Sequence, residues 1–298
     1  MNRNIEQWDI RKNAIKSDGG VVASQNWRAS AAGADTLARG GNAIDAAVSC
    51  AFALNAVEPW MCGLGGSGYI VIWLAEEKKA IAIDFQGTLP SEISFDDYPL
   101  DPEVPESIMG FPGVVNNQNV DGYRSITVPG AVAGLSEAQQ KYGRLGFDNV
   151  LQSAIDLAEQ GLPVDWFTNL QISLTAAELS KFKASSDVYL PSGFPPQPEQ
   201  VLDLGNLKKT LRSLSENGPD EFYRGNIANE LVADLNEGGS CITLEDLHNY
   251  IPLESEPLRG RHRGHDLYTP GVTSGGQRLN DALEYVEKNL NHRDPLGA

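Results

Sequence analysis

The chain has few of the residues that cross-link small folds or hold metals. Its 298 residues include only three cysteines, Cys50, Cys62 and Cys241, and four histidines. The cysteines are odd in number and show no C-x-x-C spacing, so neither a disulfide framework nor a zinc site is indicated. His262 and His265 lie in the polar stretch RGRHRGHD, with no cysteine nearby. We therefore predict no metal site, no cofactor, and thiols that pack as small apolar side chains.

Basic residues and long apolar runs are also scarce. Lysine and arginine total 23 against 40 acidic residues, a net charge of −17, which argues against nucleic acid or an anionic membrane as a partner. The longest apolar run, AIDAAVSCAFALNAV, contains Asp45 and is too short to span a bilayer. The first 20 residues lack the apolar segment of a signal peptide. We expect a cytoplasmic location, or a periplasmic or secreted one if a leader was removed.

A glycine- and alanine-rich block from Gly19 to Trp73 opens the chain. It predicts a helix over 30–39, with Ser30 as its cap and Gly40–Gly41 at its end. Asn42 is suited to cap a second helix over 43–56, whose apolar residues lie nearly all round and indicate burial.

Two β-rich runs follow, YIVIWL (69–74) and AIAIDF (80–85), and the short polar segment between them predicts a hairpin. A helix pair followed by a hairpin predicts helices layered on a sheet, an α/β (α+β) fold. We expect residues 1–298 to form a single domain.

The rest of the chain reads as surface segments and helices. Pro- and Asp-rich composition predicts irregular structure over 88–123 and a loop over 184–200. Helical patterns occur from Val128, over 147–161, in LGNLKKTLRSLSENG (204–218), in EFYRGNIANELVADLNEGG (221–239), after the capping-box pair Thr243 and Asp246, and in the tail 279–295.

Four segments, in order along the chain, carry a family resemblance. The block Gly19–Trp73 resembles the start of the large subunit of the γ-glutamyltransferases (glutathione hydrolases). Three later segments are also similar to that family: VPGAVAGLSEAQQKYGRLGFDNVLQSAIDLAEQGLPV (128–164), GPDEFYRGNIANELV with GGSCITLEDLHNY (218–250), and TPGVTSGGQRL (269–279).

The resemblance implies an N-terminal-nucleophile hydrolase with an αββα sandwich. Such a precursor cuts itself before a threonine, whose hydroxyl then attacks an amide while its own α-amino group serves as the base. A small-molecule amide would be the substrate, and γ-glutamyl amides such as glutathione would be cleaved by hydrolysis or transpeptidation.

The family's nucleophile lies in a Thr-x-His-aromatic setting downstream of the Ser-Gly-Gly turn. The last two threonines of this chain, Thr269 and Thr273, lie within the turn itself. The chain therefore resembles the large-subunit portion alone, with no catalytic residue of its own and an incomplete sandwich. We expect the C-terminal small subunit of the same precursor to be its partner.

The chain departs from the family where the substrate carboxylate would bind. The family shows Arg-Glu-x-Ala-Pro after the hairpin, and its arginine grips the α-carboxylate of the donor. Here the segment reads DFQGTLP, with Gln86 at the arginine position and Gly87 after it. A neutral amide loses the charge-assisted bond. Three readings stay open: Gln86 lines the pocket of an altered acyl donor, another cation (Arg124 or Arg28) grips the carboxylate, or Gln86 has no role.

The remaining residues of interest can be explained by structure as well as by function. Gly65 and Gly66 are predicted to allow close backbone packing near the cleft, and Ser274–Gly275–Gly276 is predicted to form a tight turn there. Asp45 and Glu58 read as helix-surface or cap residues. The alternative functions are an acylase or amidohydrolase with a different donor, or a non-catalytic homologue.

Overall fold

The computed structural model describes residues 14–106 and 110–289. The helices in these ranges are α1 (Trp27–Ala38), α2 (Ala43–Val57), α3 (Ala131–Tyr142), α4 (Phe147–Gln160), α5 (Trp166–Leu174), α6 (Ala176–Ser180), α7 (Lys183–Tyr189), α8 (Leu207–Asn217), α9 (Asp220–Arg224), α10 (Asn226–Glu237), α11 (Leu244–Asn249) and α12 (Gly276–Asn289). The strands are β1 (Gly68–Leu74), β2 (Lys79–Phe85), β3 (Leu162–Pro163), β4 (Val201–Leu202), β5 (Leu253–Ser255), β6 (Leu258–His262) and β7 (His265–Thr269).

An antiparallel sheet in the order β1-β2-β5 lies at the centre of the fold. Successive residues of β1 point to opposite faces. Ile70, Ile72 and Leu74 pack into the core, whereas Val71 and Trp73 are exposed, Trp73 by 52%. The Trp73 ring contacts Tyr268 of the β6–β7 hairpin, at a centroid distance of 5.7 Å. The predicted hairpin of strands is confirmed.

Helices cover the inner face of this sheet. Helix α3 packs against β1 and β2, and α2 packs between α1 and α4 while also contacting α3. Helix α8 lies on α4, and the short helices α9, α10 and α11 follow it. The core is therefore shared between the sheet and the α2–α3–α4 layer, as the predicted helix-on-sheet arrangement requires.

The predicted start of the first helix was wrong. Helix α1 begins at Trp27, and the Asn26 side chain accepts a hydrogen bond from the Arg28 N–H at 2.9 Å. Ser30 lies inside the helix, where its hydroxyl shares a hydrogen bond of 2.8 Å with that of Ser24. The end was right, because Gly40 adopts a φ of +94° directly after the last turn.

Asn42 and Asp45 form the capping box that begins α2. The buried Asp45 carboxylate accepts hydrogen bonds from the main-chain N–H groups of Asn42 (2.9 Å), Arg144 (2.8 Å) and Leu145 (3.3 Å), and from the Gln139 side chain (3.2 Å). Asp45 is thus a cap rather than a surface residue, and it ties α2 to the turn between α3 and α4.

Of the two readings of Glu58, helix surface or cap, the cap is confirmed. It is the C-terminal cap of α2 and only 5% exposed. Burial and the nearby Asp165 raise the pKa of its carboxyl, against a hydrogen bond from Asn26. The predicted Thr243–Asp246 capping box at α11 is confirmed.

Two further predictions failed in the second half of the chain. Helix α7 occupies the start of the predicted loop 184–200, helped by an i,i+4 ion pair between Lys183 and Asp187. The single helical pattern over 221–239 divides into α9 and α10, because Gly225 is extended between them. Helices α5 and α6 were not predicted.

Some predictions fall outside the described residues. The missing signal peptide concerns a segment whose first 13 residues are not described, and the tail prediction is followed only to Asn289. Over the described ranges, none of the helices has the length and apolar character needed to cross a membrane. The same ranges hold no cluster of three or more histidine, cysteine, aspartate or glutamate side chains placed to bind a metal.

Replacing Asp45 with alanine tests the role of this buried acceptor. The variant leaves three main-chain donors unpaired in the interior and removes one of the two acceptors of the Gln139 amide, so we expect the free energy of unfolding to fall by about 3 kcal/mol. Urea denaturation measures the change. The matched control is Asp156→Ala on α4, an exposed carboxylate that accepts a hydrogen bond from Gln152, which should change stability by less than about 0.5 kcal/mol. Equal effects in both variants would contradict this role of Asp45.

Candidate functional site

The end of β2 is held by an aromatic ring that lies against glycines. The Phe85 side chain is buried, and a Cβ on Gly68 of β1 would come within 2.9 Å of its ring. A Cβ on Gly134 of α3 would overlap the same ring. These two glycines therefore let a strand and a helix approach Phe85 closely enough to enclose it. This enclosure sets the position of the residues that follow, Gln86 and Gly87.

The glycine-rich loop before β1 is joined to the start of α3. The Gly66 carbonyl accepts hydrogen bonds from the N–H groups of Gly130 (3.0 Å) and Ala131 (2.9 Å), two donors that have no partner inside the helix. A Cβ on Gly130 would overlap the Phe85 carbonyl and the Tyr250 hydroxyl. Gly65, in contrast, has open space around its Cβ position. The loop thus acts on the site through its main chain.

Gln86 is anchored by its main chain rather than by its side chain. Its N–H donates to the Asp84 carboxylate (2.9 Å), and its carbonyl accepts from the Tyr250 hydroxyl (2.8 Å). Its side chain is half-buried, and the side-chain amide has no hydrogen-bond partner among residues 14–106 and 110–289. The amide is therefore available to a ligand.

A stacked tyrosine pair supports this anchor. The rings of Tyr250 and Tyr223 lie 5.8 Å apart and nearly parallel. The Tyr223 hydroxyl donates to the Pro129 carbonyl and accepts from the Ala133 N–H, both at 3.0 Å. Burial raises the pKa of both phenols, so each keeps its proton at neutral pH and remains a donor.

Gly87 is packed against the segment that leads into α3. A Cβ at this position would overlap the Thr127 side chain, so any larger residue would displace it. The next residue, Thr88, pairs with Val128 through two main-chain hydrogen bonds of 2.8 and 3.3 Å. The role predicted for Gly87 in substrate binding stays a prediction, but its lack of a side chain has a packing reason.

The Ser-Gly-Gly turn lies against the same end of β2. Thr273 donates from its hydroxyl to Asp84 at 2.6 Å, across 189 residues of sequence. The Ser274 hydroxyl accepts from the Gly276 N–H (2.9 Å) and donates to the Gly271 carbonyl (2.8 Å), so it stabilises the turn that begins α12. Gly275 has open space at its Cβ position.

Most of the predicted site residues lie in segments that meet at the end of β2. Contacts of Phe85 and its neighbours connect Gly66, Gln86, Gly87 and Thr273, the residue before the Ser274–Gly275–Gly276 turn. Gly65 and Gly275 lie in the connected loops, with open space at their Cβ positions. Phe85, Asp84 and Tyr250 were missed. No sequence signal connects Tyr250 to Gln86, which lies 164 residues away.

The two candidate cations lie in different surroundings. Arg28 is in the first turn of α1, where its guanidinium stacks on the Trp27 ring 4.8 Å from the centroid. Arg124 lines a cavity together with Leu89 and Thr127, the neighbours of the Thr88–Val128 pair. Of the two, only Arg124 is placed beside the Gln86 segment by these contacts.

Neither the thiols of Cys50 and Cys62 nor the Ser274 hydroxyl is arranged as a nucleophile. Burial raises the pKa of Cys50 and Cys62, which disfavours the reactive thiolate of either. The Ser274 hydroxyl is engaged in its own turn. What the site presents is a rigid strand end with an unpaired amide and a cavity beside it.

Comparison with known proteins connects this arrangement to one family. A statistical model of the family described as Gamma-glutamyltranspeptidase matches residues 29–295. The chain is 33% identical over 291 residues to the glutathione hydrolase proenzyme of Bacillus subtilis strain 168, covering 97% of this chain and 48% of that protein. It is also 33% identical over 284 residues to the acylase ACY 1 proenzyme of Pseudomonas sp. strain SE83, covering 95% of this chain and 50% of that protein.

Solved structures agree. The γ-glutamyltranspeptidase of Helicobacter pylori superposes with a TM-score of 0.86 at 29% identity, covering 96% of this chain and 80% of that chain. The chain spans about half the length of the curated relatives that it matches.

Substituting Gly134 with alanine tests the enclosure of Phe85. Alanine in place of glycine normally stabilises a helix interior by about 1 kcal/mol. Here the added methyl overlaps the ring, so we expect the free energy of unfolding to fall by about 2 kcal/mol. Urea denaturation measures this, and Gly65→Ala, which has open space, is the control. Adding Phe85→Leu to Gly134→Ala should recover part of the loss; a Gly134→Ala protein as stable as the parent would refute the enclosure.

Proposed function

The chain belongs to the gamma-glutamyltranspeptidase family, and from that premise we propose that it is the N-terminal part of a self-cleaving amidase. The observation that carries the proposal is the convergence of the glycine loop, the Gln86 segment and the Ser-Gly-Gly turn at the end of β2. Residues 1–298 would act as one domain. The relatives named proenzymes, at about twice this length, support a further C-terminal portion as its partner.

In the proposed reaction, a threonine from that C-terminal portion supplies the nucleophile. Its hydroxyl attacks the amide carbonyl while its α-amino group takes the proton, then returns it to the departing amine. The resulting ester is released by water or by a second amine. The part of this chain at the end of β2 would hold the acyl group in place during both steps, which lowers the barrier by positioning.

The identity of the acyl donor is a separate part of the proposal. A γ-glutamyl donor carries an α-carboxylate, and Gln86 can offer it a neutral N–H but no charge. Equal identity, 33%, to a glutathione hydrolase and to an acylase supports both donor classes alike. We propose γ-glutamyl amides such as glutathione as the first substrates to test and other acyl amides as the second. A cytoplasmic location stays part of the proposal.

The test uses the complete gene product, expressed from its natural start to its natural stop. We expect intact mass spectrometry to show two fragments after incubation, the smaller beginning with threonine. The processed sample should then release nitroaniline from γ-glutamyl-p-nitroanilide. An uncut product would overturn the enzyme and leave a non-catalytic homologue. Two fragments without nitroaniline would retain the self-cleaving amidase and exclude the γ-glutamyl donor.

Restoring the charge at Gln86 tests its proposed place in the donor site. In Gln86→Arg, a guanidinium can pair with the donor carboxylate, so we expect KM for γ-glutamyl-p-nitroanilide to fall about tenfold, equivalent to roughly 1.4 kcal/mol.

The control is Gln160→Arg at the exposed end of α4, which adds the same charge far along the chain from β2 and should leave KM unchanged. Unchanged KM in both variants, with normal processing, would remove Gln86 from the substrate site.

A further inference from the structure

Residues within 89–98 and 119–127, between β2 and α3, line an open cavity that the proposed reaction does not yet use. Its volume is about 520 Å³, within the range of pockets that take small organic molecules. Apolar and aromatic side chains form most of the lining around one cation: Leu89, Ile93, Phe95, Tyr98, Ile126 and Arg124. The cavity is thus an apolar site that contains a single positive charge.

The cavity lies beside the candidate donor site. Thr127 both lines it and occupies the space that a Cβ on Gly87 would need. Leu89, on the opposite strand of the Thr88–Val128 pair, lines it as well. A molecule bound against the end of β2 can therefore extend into this cavity.

Arg124 is incompletely paired there. Its Nε is buried without a hydrogen-bond partner among the described residues. The acidic group that pairs with it, Asp97, lies 3.8 Å from its Nη2, beyond hydrogen-bonding distance, and already accepts from the Ser94 N–H at 2.8 Å. The guanidinium lies over the Tyr98 ring, 5.5 Å from the centroid. A buried donor without an acceptor calls for a ligand or water to complete it.

The mouth of the cavity is apolar and exposed. The Phe95 ring is 93% exposed although it borders the opening, and Leu89 and Ile126 are exposed beside it. Apolar side chains grouped around an opening in this way indicate a ligand with an apolar body. The Arg124 side chain is 37% exposed, so its charge is accessible from the same opening.

We propose that this cavity binds an apolar carboxylate, and that Arg124 is a specificity-determining residue that pairs with its charged group. The lining would cover the apolar body, and the guanidinium would supply donors in the planar geometry that suits a carboxylate. A neutral apolar ligand would leave the Arg124 Nε without an acceptor. A phosphate would be poorly matched to the apolar lining. The inference rests on the proposed function in one respect only, that the bound carboxylate is part of an amide substrate.

Binding to the complete gene product tests the cavity without any need for activity. Isothermal titration with 4-phenylbutanoate is compared with 4-phenylbutanamide, which has nearly the same shape and no charge. We expect the acid to bind at least about tenfold more tightly. Arg124→Gln should remove that preference, and Arg124→Lys should keep part of it. Equal affinity for acid and amide, or an unchanged preference in Arg124→Gln, would overturn the proposal.

The matched control is Arg212→Gln on α8, which removes the same charge from an exposed side chain paired with Glu159 and should leave binding unchanged. A salt titration of the unaltered chain covers the case in which Arg124→Gln does not fold. Raising NaCl should weaken binding of the acid and not of the amide, because salt screens the charge. Salt-independent binding of the acid would contradict the pairing.

The complete, processed gene product identifies the source of the carboxylate. Inhibition by 4-phenylbutanoate that competes with the acyl donor assigns the cavity to the acyl part of the substrate. Inhibition that competes with an amine acceptor assigns it to the amine part. Binding that is present in the uncut product and lost in the processed product would mean that protein covers the cavity after processing, and the substrate role would be wrong.

Discussion

The close approach of Gly68 and Gly134 to the Phe85 ring is the constraint on which the site depends. A helix and a strand can enclose one aromatic ring only where their own side chains are absent, because protein interiors are already close-packed. Because the ring is fixed, the direction in which the chain leaves β2 is fixed as well. Gln86 and Gly87 follow directly, so their placement is set by packing in the core rather than by the loop itself.

Several polar contacts convert that packing into a defined surface. Asp84 is bonded to the Gln86 N–H and to Thr273, and Tyr250 holds the Gln86 carbonyl. All these contacts involve the main chain of the segment or side chains next to Gln86, and they leave the Gln86 amide free of partners among the described residues. Hydrogen bonds therefore hold the main chain at the end of β2 in place, and a held main chain is what the proposed positioning role requires.

Local signals in the sequence were enough to predict most elements in the first half of the fold. Helix α2 with its Asn42 cap, the hairpin, and the glycine that ends α1 all follow from residue types within a few positions of one another. The wrong predictions have a common cause, which is that tertiary contacts decided the outcome. Asn26 and Ser30 are both acceptable caps, and only the tertiary structure chooses between them. The tyrosine pair and the Asp84–Thr273 bond join segments far apart in the chain, so no local pattern could reveal them.

The same separation between backbone and side chain explains why the donor is harder to infer than the family. The glycines matter because they have no side chain, which lets neighbouring segments approach closely. A substitution at any of the tightly packed ones would disturb the core. The side chain of Gln86 makes no hydrogen bond within the described structure, so a change of its identity breaks no hydrogen bond there. Arg124 is placed in the same way. Its main-chain carbonyl accepts a hydrogen bond from the Tyr98 hydroxyl, while its Nε has no hydrogen-bond partner among the described residues. A framework of this kind is compatible with 33% identity to a glutathione hydrolase and to an acylase alike.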